Sequence, residues 1–138
     1  MNDSWVIDSS IGVAWAHPAQ ASTVTDGLLA TVRAGAKMVI PPLWYPEVAN
    51  VLMVLQRRKK LSSVSRTTAL SFLDSFEFIV DDESIRAALR KTSDLAEKYD
   101  LTGYDATYLE VALRRNLPLA SRDADLNRAA RLCRIKTL

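Results

Sequence analysis

The sequence has one cysteine (Cys133) and one histidine (His17) in 138 residues. A single thiol excludes a disulfide framework and fits a reducing compartment. One Cys and one His cannot supply the usual N/S ligand set of a zinc site. A Ser-His-Asp triad would depend on His17, and nothing around it has the right context. Glycine is scarce, at four residues. There is no Gly-x-Gly-x-x-Gly and no Walker lysine, so a dinucleotide or NTPase site is not supported. No apolar run approaches the ~18 residues of a membrane span. The N-terminal Met1-Asn2-Asp3-Ser4-Trp5 has no basic region leading into an apolar stretch, as a secretory signal has. No repeat, linker or low-complexity stretch divides the chain. The expectation is a cytoplasmic protein without membrane contact, with residues 1–138 forming a single domain.

What is present is ordinary globular composition, 49% hydrophobic and 25% charged, rich enough in apolar residues to exclude disorder. The net charge of +2 is unevenly spread. Residues 111–138 carry seven basic side chains against two aspartates, and Arg57-Arg58-Lys59-Lys60 forms a second basic cluster. Such patches attract phosphates, although block charge is also the usual dress of a solvated surface.

Short apolar runs alternate with longer helical patterns. Trp5-Val6-Ile7, Met38-Val39-Ile40, Phe78-Ile79-Val80 and Leu119-Ala120 read as strands, and Ile135 to Leu138 as a possible fifth. The runs are continuous rather than alternating, as in strands covered on both faces of a parallel sheet. Ile85, Ala88, Leu89, Thr92, Ala96 and Tyr99 share one face of a helix. Leu126, Ala129, Ala130 and Cys133 repeat that pattern, which assigns Cys133 to the core, whereas His17 beside Pro18 reads as a surface loop residue. Tyr104 to Arg115 is apolar almost all round and reads as a buried helix. Val48, Val51, Leu52 and Leu55 make a stripe on a helix running to about Lys59, and Ser62 or Ser63 can cap the next, ending near Phe76. The pattern predicts a three-layer α/β/α sandwich with a mainly parallel sheet of four to five strands.

Ligands of open parallel sheets bind outside the carboxyl ends of the strands, which makes four acids conspicuous. Asp8 follows the first strand directly, Glu47 lies in the first turn after the second, Asp105 opens the buried helix, and Asp123 follows the fourth strand. Read singly, each also suits a helix start, as a cap or as a favourable charge on the dipole. Together they need compensation, because Asp105 is set among Tyr104, Ala106, Tyr108 and Leu109, where an unpaired carboxylate costs several kcal/mol. No lysine or arginine lies in the short motifs around Asp8, Glu47 and Asp105. A divalent metal is the simpler partner, and oxygen ligands suit Mg²⁺ or Mn²⁺.

The segments Val6-Ile7-Asp8-Ser9-Ser10, Pro42-Leu43-Trp44-Tyr45-Pro46-Glu47, Tyr104-Asp105-Ala106-Thr107-Tyr108 and Leu119-Ala120-Ser121-Arg122-Asp123 resemble the four acidic motifs of PIN-domain proteins. The match is similar to the VapC toxins of bacterial and archaeal toxin–antitoxin pairs and spans essentially the whole chain. No glycine marks the turn after Lys60, where relatives often have one.

The resemblance implies a metal-dependent endoribonuclease of the PIN-like fold. Asp8, Glu47, Asp105 and Asp123 would be catalytic, with Asp8, Asp105 and Asp123 holding Mg²⁺ or Mn²⁺, Asp123 directly or through water. Glu47 would either orient the attacking water or complete a second metal site. Ser121 occupies the place of a small hydroxyl residue, and Asn50, three residues after Glu47, lies on the same helical face as a supporting group. The spacing favours Asp123 over Asp125, which is expected to face solvent or the rim. Arg57, Arg58, Lys59, Lys60, Arg114, Arg115, Arg122 and Arg128 are candidates for RNA phosphates, which give affinity without sequence choice. Proteins similar to this are commonly homodimers inhibited by a small VapB-type antitoxin, and Trp44, Leu61, Val64, Leu70 and Phe72 are candidate interface positions. A receiver domain would show an acidic pair after the first strand and a lysine after the last. A phosphatase of Asp-x-Asp type would need an acid at Ser10. The remaining alternative is a non-catalytic PIN-like module that binds RNA or protein.

Overall fold

The computed structural model describes residues 3–138; Met1 and Asn2, on which the reading of the N-terminus partly rests, lie outside the described residues. Four short strands, β1 (Trp5–Ile7), β2 (Met38–Ile40), β3 (Ile79–Val80) and β4 (Leu119–Ala120), form one sheet in the order β3-β2-β1-β4. All neighbouring strands are parallel. Between β1 and β2 run α1 (Ser9–Ala16), a 3-10 turn (Pro18–Gln20) and α2 (Thr23–Arg33). Next, α3 (Trp44–Arg57) and α4 (Ser63–Asp74) lead to β3. The return to β4 passes through α5 (Glu83–Ala87), a π-helical segment (Ala88–Thr92), α6 (Ser93–Tyr99) and α7 (Gly103–Arg115), and α8 (Ala124–Leu132) follows β4.

Right-handed crossovers send α1 to α4 over one face of the sheet and α5 to α7 over the other. The contacts follow: α1 packs on α2, α3 and α4, and α7 on α6, α8 and β1. The result is the three-layer α/β/α sandwich expected from the sequence. In β1, β2 and β4 the continuous apolar runs are buried, with Val6, Ile7, Val39, Ile40, Leu119 and Ala120 all within 1% of complete burial, whereas the edge strand β3 leaves Ile79 and Val80 each 39% exposed. Helix ends follow local chemistry. Ser22, Ser62 and Thr102 cap α2, α4 and α7 through their hydroxyls, while Asp100 and Asn116 close α6 and α7 in the left-handed conformation that these short polar side chains tolerate.

Three expectations change. The fifth strand reduces to one parallel bridge between Leu119 and Thr137. The helical face expected over residues 85–99 is interrupted by the π segment, whose wider turn shifts the register; Ile85 and Leu89 are 65% and 92% exposed and Ser84 is buried instead, while of the expected face Thr92 is buried and Ala96 and Tyr99 are half-buried. His17 is buried rather than on the surface, because it ends α1, a helix whose residues Ile11 to Trp15 all lie in the core. Cys133 is half-buried at the end of α8. Among the described residues no helix is long and apolar enough to cross a membrane.

Candidate functional site

The chain leaves β1 toward β2 and reaches β4 from the opposite direction, so helices depart to opposite faces at the β1–β4 boundary. Crevices form at such switch points, and Asp8 and Ser121 each directly follow one of these two strands. The Asp8 N–H donates to Ala120 O at 3.1 Å, which ties the two strand ends together. Its carboxylate caps α1: Oδ1 accepts the Ser10 hydroxyl at 2.6 Å and the Ile11 N–H at 3.4 Å. Oδ2 accepts the Ser121 hydroxyl. From α3, Trp44 Nε1 donates to the Asp8 carbonyl at 3.0 Å. The indole lies so close to α1 that a Cβ on Gly12 would stand 2.4 Å from Trp44 Cζ2. Only glycine admits that approach.

Asp123 is held by the same web. Its N–H donates to Ser121 Oγ at 2.9 Å, and its Oδ2 caps α8 by accepting the Leu126 N–H at 2.8 Å. Asn127 Nδ2 donates to the Ser121 carbonyl at 2.9 Å, and the Arg122 N–H to Ser10 Oγ at 2.9 Å. Asp105 sits in the first turn of α7, where its N–H donates to Thr102 Oγ1 at 3.0 Å. Glu47, in the first turn of α3, accepts the Tyr108 hydroxyl at 2.5 Å. One face of α7 therefore presents Asp105 and, one turn on, the group that fixes Glu47.

The electrostatics join these acids. Burial pushes the Asp8 carboxyl up to about 6; the hydrogen bonds from Ser10, Ser121 and Ile11 oppose the rise, and the charge of Asp105 adds to it. Glu47 is raised by burial and by Asp105, against the lowering effect of the Tyr108 bond. Asp105 is raised by burial, then by Asp123, with a smaller contribution from Asp125. Asp105 is thus the charge that its neighbours share. Among the described residues none of Asp8, Glu47, Asp105 and Asp123 forms an ion pair.

Oxygen donors that repel one another without a cation suit a hard divalent ion. Among the described residues no three ligating side chains stand close enough to make a finished cage. Mg²⁺ does not require one: it keeps several waters and takes one or two carboxylates together with substrate phosphate. The donor set fits such an ion.

The remaining expectations fare unequally. Asp125 is exposed and pairs with Arg128 at 3.5 Å. Asn50 is exposed on α3, and no hydrogen bond joins it to Glu47. Arg57, Arg58 and Lys59 are exposed at the far end of α3, roughly 15 Å along the helix axis from Glu47 at 1.5 Å per residue. Arg122 is near the crevice, but its Nη1 donates to the Gln20 carbonyl at 2.5 Å. Arg114 and Arg115 are corrected as free phosphate contacts. Arg114 forms a fork on the buried Asp81, at 2.8 and 3.0 Å, and pairs with Glu110 at 2.7 Å; Arg115 also pairs with Asp81. Among the interface candidates Trp44 is buried at 1% exposure and belongs to the core, whereas Val64 is 77% exposed. Sequence reading missed the roles of Tyr108, Trp44 and Gly12. The first two lay within the quoted motifs, and the alternation Asp105-x-x-Tyr108 was the available signal.

A PIN-domain family model matches residues 5–132. No curated protein matches the chain by sequence. Among solved structures, PAE2754 from Pyrobaculum aerophilum superposes with a TM-score of 0.69 at 23% identity, over 94% of this chain and 87% of that one. VapBC2 from Rickettsia felis, solved with a DNA fragment from its promoter, gives 0.65 at 12% identity over 98% and 97%. A toxin–antitoxin complex from Klebsiella pneumoniae gives 0.55 at 17% identity over 86% and 85%. These likenesses concern the fold. With the family model covering nearly all of the sandwich and its acidic edge, this chain belongs to the PIN-domain family.

Proposed function

We propose that this protein is a metal-dependent endoribonuclease, the toxin of a toxin–antitoxin pair, acting in the cytoplasm as a single PIN-like unit. What supports the reading is the electrostatic coupling of Asp105 with Asp8, Glu47 and Asp123, where Asp105 raises two of its neighbours and, among the described residues, none of the four has an ion-pair partner. Asp8, Asp105 and Asp123 would hold Mg²⁺ or Mn²⁺, and Glu47 would serve the attacking water or a second ion. The chemistry such an ion supplies when bound is polarisation of the scissile phosphate and acidification of a water.

The chain's own groups prepare that chemistry. Ser10 and Ser121 fix both oxygens of Asp8, so the carboxylate meets substrate in one orientation. The Tyr108 hydroxyl holds one oxygen of Glu47 and leaves the other free to accept a proton from water. Asp123 spends one oxygen on capping α8 and has the second available. Ser121 and Asn127 keep the Asp123 loop against β1. Exposed Arg57, Arg58 and Lys59 would take substrate phosphates remote from the cut. Support for a VapB-type antitoxin comes from the family resemblance and from the fold shared with VapBC2 and with a toxin–antitoxin complex, whereas a homodimer rests on the family resemblance alone.

Among the described residues no three carboxylates form a finished cage, which favours the alternative of a non-catalytic RNA- or protein-binding module. RNA cleavage by the purified protein, with Mg²⁺ or Mn²⁺ and with EDTA, beside Asp8→Asn, separates the two. Cleavage that needs the ion and disappears in the variant is expected. Total cellular RNA left intact under every condition would reject the nuclease.

A further inference from the structure

A trough of about 310 Å³ opens beside the acidic edge. Its walls are Pro42 and Leu43, just ahead of the helix bearing Glu47; Ile85, Ala88 and Thr92, on and around the π segment; and Tyr104, adjacent to Asp105. Three observations set it apart from ordinary surface relief. The lining is apolar and in part strongly exposed, with Ile85 and Tyr104 both at 65%. One wall is the π-helical segment, a costly departure from α-helix that recurs at functional sites. That segment buries Thr92 to 2% exposure with a hydroxyl that has no hydrogen-bond partner, a vacancy that folded proteins rarely leave.

We propose that this trough takes up one unstacked base of the RNA next to the bond that is cut, with the Tyr104 ring as the stacking surface. The inference rests on the nuclease reading and extends it to substrate choice. The cleft is mainly apolar, and of its Ser84, Thr92 and Thr107 hydroxyls the first and last are taken up by the Asp81 and Gly103 carbonyls; at the lower end of the size of small-molecule sites, it holds one ring system rather than a peptide helix. Single-stranded RNA is read by splaying bases onto aromatic side chains. Tyr104 is next in sequence to Asp105, and Leu43 lies four residues before Glu47, so a base seated here would be joined to a phosphate at the acidic edge. Exposed Arg86 of α5 and Arg90 and Lys91 of the π segment line a second groove together with Glu83 and Glu110, and the three cations suit the continuing phosphodiester chain.

The test uses the full chain in EDTA, which prevents cleavage, titrated with ten-nucleotide RNAs of A, C or U and with an abasic ribose-phosphate chain of equal length. The base-bearing chains are expected to bind at least about tenfold more tightly than the abasic one. Tyr104→Ala, at an exposed position, should bring that ratio close to one and leave abasic binding unchanged. Thr92→Val removes the orphan hydroxyl and should alter the ranking of A, C and U without loss of stability. A ratio of one in the parent overturns the trough while leaving RNA binding in place. So does a Tyr104→Ala variant that keeps the parent ratio, or one that instead changes sedimentation from dimer to monomer, which would make this face an interface between copies. Binding of no RNA at all in EDTA would overturn the trough, and the nuclease reading would then be decided separately by the cleavage assay with Mg²⁺ or Mn²⁺.

Discussion

The hydroxyl of Tyr108 donates to Glu47 Oε1 at 2.5 Å, linking the first turn of α3 to the second turn of α7. This bond lowers the affinity of Glu47 for a proton, against burial and the Asp105 charge, which raise it. Tyr108 itself is buried and has no other hydrogen bond. Tyr108→Phe keeps the packed ring and removes only the donor. Glu47 should then titrate at still higher pH, so the acidic limb of the rate profile for RNA cleavage should move upward. The loss in stability should be about 1 kcal/mol. A profile that stays in place in the variant would show that Glu47 does not titrate in the reaction.

Asp8 is 4% exposed, and its carboxyl is pushed up to about 6 by burial, with Asp105 adding to the rise. Ionised at pH 7 without a cation, it opposes folding. Asp8→Asn should therefore stabilise the protein in EDTA by an amount on the order of 1–2 kcal/mol and raise the midpoint of thermal unfolding accordingly. Addition of millimolar Mg²⁺ or Mn²⁺ should stabilise the parent and leave the variant nearly unmoved, since a ligand that binds only the folded state stabilises by mass action. Equal stabilisation of both proteins would remove Asp8 from the metal site.

Gly12 and Trp44 form a contact that the carbonyl of Asp8 depends on. A methyl group at position 12 would have to displace the indole, at 2.4 Å from Cζ2, and Trp44 is 1% exposed, with Phe78 and Tyr45 against its ring. Gly12→Ala should destabilise by about 1–3 kcal/mol as an overpacked core does, despite the better helix propensity of alanine. Urea unfolding checks it. A neutral or stabilising result would mean that the indole moves freely and does not anchor the Asp8 loop.

The parts legible in the sequence were those carried by local pattern. The strands show as short continuous apolar runs, and each acid follows a strand or opens a helix, which is why the carboxyl-edge rule singles them out. What sequence could not show was pairing across distance. Arg114 reads as a free cation, but its partner Asp81 lies 33 residues earlier. The helical face over residues 85–99 failed because a period of 3.6 was carried through a π segment that does not keep it. The missing glycine after Lys60 has a conformational counterpart: Lys59 itself adopts φ 59°, the conformation that glycine would have supplied.

Asp81 has a fully buried carboxylate at the end of β3, and its two oxygens accept from Arg114, Arg115 and the Ser84 N–H. Burial alone would raise its pKa, but the bonds from the two arginines prevail and hold it down to about 2. Because the folded-state value lies below the unfolded one, the carboxylate contributes stability that is present above about pH 4. That contribution is lost as pH falls toward 2. Asp81→Asn should be less stable than the parent by about 2–3 kcal/mol at pH 7, since it leaves two arginines without their buried partner. The gap should close between pH 4 and pH 2, as the parent takes up the proton that the variant does not need. Urea unfolding of both proteins at pH 7, 4, 3 and 2 measures it. A gap that persists unchanged at pH 2 would show that the amide acts through lost packing and not through the charge that holds β3 to α7.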